Sequence, residues 1–182
     1  MDFYSPFWAD AKQSLVSGLD LRKATAARVK ENPISRSRLY PALCEGFLSW
    51  WNEKRRWRNE PFQAISNSRK ARFNILELGG LLKINRILEI TADDGFRRVI
   101  YGYLRQEPLN LESARVGLWI LKEAFPDVDQ ENLRILDVMR GQSYGFLDCP
   151  LESTEKEIML QRYKELLSEW DNLREERRDR LF

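Results

Sequence analysis

Apolar side chains recur at helical spacing in some stretches of the chain and alternate in others. Ser5-Pro6 is a start signal, because serine can cap and proline is tolerated in a first helical turn. A helix over 6–17 follows and stops at Gly18. Asp20 caps a second short helix, "LRKATAARVKE", ended by Asn32-Pro33. In "PALCEGFLSWWNEKRRW", 41–57, Leu43, Phe47 and Trp51 step by four, with Cys44 and Leu48 beside them. That is one apolar stripe, with Trp51 expected in the core. "NEPFQAISNSRKA" reads as a polar loop.

From Arg72 the period changes to two. "RFNILEL" sets Phe73, Ile75 and Glu77 opposite Asn74, Leu76 and Leu78, and Gly79-Gly80 is a turn signal. "LLKINRILEI" alternates again, with Leu82, Ile84, Leu88 and Ile90 on one face and Arg86 interrupting it. "TADDG" is a turn, and "FRRVIYGYL" is a β-branched and aromatic third strand. Together they predict an antiparallel meander. "NLESARVGLWILKEAF" returns to helical spacing through Leu111, Ala114, Leu118, Leu121 and Phe125. "LRILDVM" is a fourth strand, and "RGQSYGFLD" holds a turn and a fifth candidate. In the last 30 residues Met159, Tyr163, Leu166, Trp170 and Leu173 are spaced 4, 3, 4, 3, a heptad seam opened by Thr154 and Glu157 as a capping box. Two heptads fit packing on the chain's own sheet better than an intermolecular coiled coil.

The expected fold is α+β: N-terminal helices, a mainly antiparallel four- to five-stranded sheet with one crossing helix, and a long C-terminal helix. Residues 1–62 form a basic helical region, 72–150 the sheet core and 153–182 the amphipathic helix, together one compact domain. A chain of 182 residues, 43% hydrophobic and 12% aromatic, can build such a core without staples.

Charge sharpens this picture. Residues 1–75 carry 14 Lys/Arg against 7 Asp/Glu, and residues 76–182 carry 16 against 21. The N-terminal part therefore suits a polyanion. There is no histidine, which removes Ser-His and Cys-His catalysis and the commonest zinc ligand. Cys44 and Cys149 lie far apart in sequence, without metal-type spacing, and are expected reduced in a cytoplasmic protein. No stretch resembles a signal peptide or a membrane span.

"GGLLKINRILEITADDGFRRVIYGYLR", then "ESARVGLWILKEAF" and "LRILDVMRGQSYGF", resembles the RecB-like branch of the PD-(D/E)XK nucleases over about residues 72–147. The element order is also shared by the small α+β fold of type III secretion chaperones. The nuclease resemblance implies a fold without its reaction. Asn85 stands at the family's first aspartate, Tyr101-Gly102-Tyr103 replaces its Asp/Glu-x-Lys, and its helix motif falls on Arg115 and Trp119. Two carboxylates must hold the magnesium, and an asparagine and a tyrosine cannot. Glu77 and Glu89, on neighbouring expected strands, are the remaining pair for a displaced metal site, read more simply as solvent-facing carboxylates.

No catalytic residue, metal or cofactor is therefore expected. The first functional expectation is a non-catalytic nucleic-acid-associated or assembly protein. Lys54, Arg55, Arg56, Arg58, Arg69, Lys70 and Arg72 would contact phosphates, and Trp50 and Trp57 would stack on bases. The alternative is a protein-binding adaptor or chaperone-like module, docking another subunit through its sheet face or through Met159, Tyr163, Leu166, Trp170 and Leu173.

Overall fold

The computed structural model describes residues 2–54, 63–66, 68–93 and 95–179. Helix α1 (Ser5–Ser17) has proline in its first turn and ends where Gly18 turns left-handed, at φ 72°. Helix α2 (Leu21–Glu31) is capped by the Asp20 carboxylate, which accepts from the Lys23 N–H, and a short α3 (Pro33–Arg36) follows. Helix α4 (Leu39–Ser49) runs on into a π turn, Trp50–Lys54. Leu43, Phe47 and Trp50 are buried, and the expected Trp51 packs on the same core but only half-buried.

The strands are β1 (Gln63–Ala64), β2 (Ala71–Ile75), β3 (Gly80–Ile84), β4 (Ile87–Thr91), β5 (Arg97–Tyr103), β6 (Leu133–Asp137) and β7 (Gln142–Tyr144). Five make one sheet in the order β1-β4-β5-β6-β7, and β2 and β3 form a separate hairpin. The expected α+β class holds. All pairings are antiparallel except β5 with β6, which is parallel and bridged by the crossing helix α5 (Leu111–Ala124). A parallel pair needs such a crossover, because a tight turn cannot reverse the chain twice. Two expectations change. The loop before Arg72 contributes β1, and "LLKINRILEI" is two strands, broken at Asn85-Arg86, that belong to different sheets.

Helices cover both faces of the large sheet. On one, Phe7, Trp8, Leu43, Phe47 and Trp50 pack with Leu88, Ile90, Ile100 and Leu136. On the other, Ile87, Val99 and Ile135 meet Leu118, Leu121 and Phe125. Gly46 lets α4 approach the β6–β7 turn so closely that a Cβ there would overlap the Val138 carbonyl. Cys44 and Cys149 are free and buried, and burial pushes both thiols up from their ordinary value. Among the described residues, no helix is long and apolar enough to cross a membrane.

Because β4 lies between two layers, Glu89 is fully buried. Its carboxylate accepts from the Arg69 backbone N–H and from Arg97 Nε and Nη2, at 2.5, 2.8 and 2.6 Å. Asp127 takes the outer side of Arg69, at 2.7 Å. Asp137, also buried, accepts from the Leu109 N–H and from Arg140, tying the entry of α5 to the end of β6.

Several outer carboxylates stand below their ordinary values. Arg86 holds Asp2 down, Arg22 holds Glu45, Lys156 holds Glu77 and Arg69 holds Asp127, while the Lys23 N–H holds Asp20. Each binds protons less readily folded than unfolded. Their contribution is therefore complete above the ordinary values of 3.8 and 4.5 and is lost as pH falls through the folded ones. With no histidine to titrate, the urea midpoint is expected to stay flat between about pH 6 and 8. It should fall once the pH drops below about 4.5. A clear step near pH 6.5 would contradict this.

Candidate functional site

The C-terminal helix α6 (Glu155–Asp179) divides into an anchored half and a free half. Its first turns are fastened at every side. Glu155 is buried, accepts from the Glu152 N–H at 2.7 Å and lies 3.6 Å from Arg115 Nε. Lys156 pairs with Glu77 at 2.6 Å. Met159 packs with Ile75 and Val116 under the β2–β3 hairpin. Arg162 pairs with Glu112 and donates to Ser113 Oγ. Tyr163 lies against Gly80, where a Cβ would stand 3.3 Å from the ring.

Every residue from Lys164 to Arg178 is exposed. At 1.5 Å per residue this half extends about 22 Å from the body. Acidic Glu155 and Glu157 in the first turn and Arg177 and Arg178 in the last suit the helix dipole. The Gln161–Glu165 hydrogen bond adds a small i,i+4 term. These are weak supports for a half-helix with no tertiary packing.

The seam continues along this free half. Leu166 is 62% exposed, Trp170 61% and Leu173 54%, with Leu167 beside them at 41%. Such side chains scattered singly are ordinary, but four on one stripe form a patch. Trp170 and Leu173 share a surface depression with Arg174, Arg177 and Arg178. The heptad spacing identifies the stripe. It does not identify Leu167, Arg174 or Arg178, which stand one step off the seam, and Arg177 falls on the next seam position as a charged residue.

Arg55, Arg56, Trp57 and Arg58 lie outside the described residues, and of Lys54 only the backbone is described. Trp50 is 1% exposed, packed against Phe47, so it has no free face for a base and its expected role is corrected. Arg69 turns inward to Glu89 and Asp127, with its guanidinium 5.1 Å from the centre of the Phe125 ring. Lys70 and Arg72 are exposed. Glu77 and Glu89 do not meet: the first pairs with Lys156 at the surface, and the second is buried with its arginines. The described residues hold no group of three or more Cys, Asp or Glu placed for a metal ion. Asn85 and Tyr101 line one polar cavity, while Arg115 is engaged with Glu152 and Glu155.

Compared with known proteins, the chain matches no family model, no curated sequence and no solved structure.

Proposed function

We propose that this chain is a protein-docking adaptor, which uses the free half of α6 to hold an amphipathic helix of another protein. The observation that carries this reading is the run of Leu166, Trp170 and Leu173, all more than half exposed, on a helix rigidly anchored by its first half. A tryptophan flanked by leucines and ringed by arginines has the composition of an interface hot spot. Arg174, Arg177 and Arg178 beside the apolar stripe favour a partner helix whose apolar face is edged by carboxylates.

A second copy suits the stripe less well. Met159 and Tyr163 belong to the same seam and already face the chain's own body. A parallel copy would need its body in that space. An antiparallel copy centred on Trp170 sets Arg177 and Arg178 level with Tyr163 and Arg162, which brings arginine to arginine. The test is whether the chain, isolated from its own cells, carries a stoichiometric protein and releases it when Leu166 and Trp170 both become glutamate.

Contact with a polyanion through the basic N-terminal region is the second reading. It is favoured by Lys70 and Arg72, which are exposed and make no ion pair among the described residues. It loses Trp50 to the core and the Arg69 side chain to Glu89 and Asp127. Binding to a single-stranded oligonucleotide should then fall steeply between about 50 and 200 mM salt. Reversing Arg55, Arg56 and Arg58 should abolish it, and binding indifferent to salt would exclude this reading.

A further inference from the structure

Two cavities lie beside strands β3 and β5, one lined by α5 and the other by α1. The first, of about 310 Å³, is walled by Leu82, Ile84, Leu109, Val116, Ile120 and Leu121. Gly117 lets α5 lie close on Ile135, where a Cβ would overlap the end of that side chain. The second, of about 470 Å³, is polar and includes Trp8, Lys12, Lys83, Asn85, Arg86 and Tyr101. Lys83 and Tyr101 line both, so the two cavities are neighbours.

The polar cavity is unbalanced in charge. Its single carboxylate, Asp2, is taken by Arg86 at 2.7 Å. Lys12 and Lys83 make no ion pair among the described residues. Arg72 stands opposite Lys83 in the β2–β3 register, and Lys70 precedes that strand. Lys12 is half-buried, and its ammonium is held below the ordinary value first by burial and then by repulsion from Lys70. Cations gathered this way repel one another unless something anionic lies between them. Trp8 supplies an independent sign. It lines the cavity, is 3% exposed, and its buried indole N–H has no acceptor among the described residues. A buried donor left unsatisfied costs about 1–3 kcal/mol, and an anion in this cavity would supply the missing acceptor.

We infer that these neighbouring cavities together bind a small organic anion, with an apolar ring or short chain among Ile84, Val116 and Ile120 and its carboxylate or phosphate among Lys12, Lys83 and the Trp8 indole. An apolar pocket with a few convergent polar groups at one end is the usual form of a small-molecule site, and 310 Å³ is at the lower end of the range for one. This site is independent of α6 docking and survives if that reading fails.

The test is calorimetric titration of the full chain with 2-naphthoate, with the neutral 2-naphthalenemethanol, and with inorganic phosphate. Naphthoate is expected to bind one to one, at least tenfold more tightly than the alcohol. Lys12→Glu with Lys83→Glu should erase that preference at an unchanged melting temperature. Ile120→Trp, which fills the apolar end, should weaken both aromatic probes, and Trp8→Phe should weaken naphthoate alone. Phosphate binding as tight as naphthoate would overturn the apolar half of the proposal. Equal affinity for acid and alcohol, or naphthoate binding unmoved by the double lysine reversal, would overturn the anionic half. No saturable binding of any probe would overturn the whole.

Discussion

Replacing Glu89 by alanine should cost about 3–5 kcal/mol of folding stability, the usual loss when one partner of a buried ion pair is removed. The physical reason lies in what remains behind. Arg97 donates twice to this carboxylate and Arg69 lies 3.4 Å from it, so the variant leaves two guanidiniums partly desolvated without their anion. It also leaves the Arg69 backbone N–H without its acceptor. Asp127 cannot compensate both, since it reaches Arg69 at 2.7 Å but Arg97 only at 3.7 Å. Domains of this size are stable by about 5–15 kcal/mol, so the variant should unfold at far lower urea. Glu89→Gln keeps the shape and some hydrogen bonds and should lose less. Glu77→Ala, at an exposed and solvent-screened pair, should move the urea midpoint far less. A Glu89→Ala loss no larger than that of Glu77→Ala would refute the buried network as described.

The second large effect is on association. Leu166→Glu with Trp170→Glu should weaken docking at least 100-fold, about 2.7 kcal/mol. Truncating one central aromatic at an interface commonly costs 2 kcal/mol or more, and here two carboxylates also enter an apolar contact. Both positions are more than half exposed, so the unbound variant should melt with the parent chain. That separates loss of a partner from loss of the fold. Met159→Glu is the opposite control: it is buried with Ile75 and Val116, and should destabilise the anchored half. Retained binding in the double variant would remove the stripe from the interface.

Much of the helical structure was legible because its signals are local. Asp20 and Asn110 cap through their own side chains, and Gly18 ends α1 by a left-handed turn. The sheet was harder because its order depends on distant segments. In "LLKINRILEI" Arg86 interrupts the apolar face, but that alone does not show that Ile84 and Leu88 lie in different cores on opposite sides of a break. Strand β1 has two residues and exists through its pairing with Thr91 and Ile90. Glu89 looked like a surface carboxylate because its arginines are 8 and 20 residues away. The π turn at Trp50 has no spacing signal of its own. The heptad seam of α6 was plain in the sequence. Its division at Tyr163 was not, because that depends on where the β2–β3 hairpin and α5 stop supporting it.

Hydrogen–deuterium exchange along α6, in the free chain and in the complex isolated from its cells, tests the docking account most directly. In the free chain the amides of residues 164–178 should exchange rapidly, while those around Met159 and Tyr163 stay protected by the body. In the complex, protection should extend from Leu166 through Leu173 and slow exchange there at least tenfold. Rapid exchange across 164–178 in the complex, with new protection elsewhere on the chain, would contradict it.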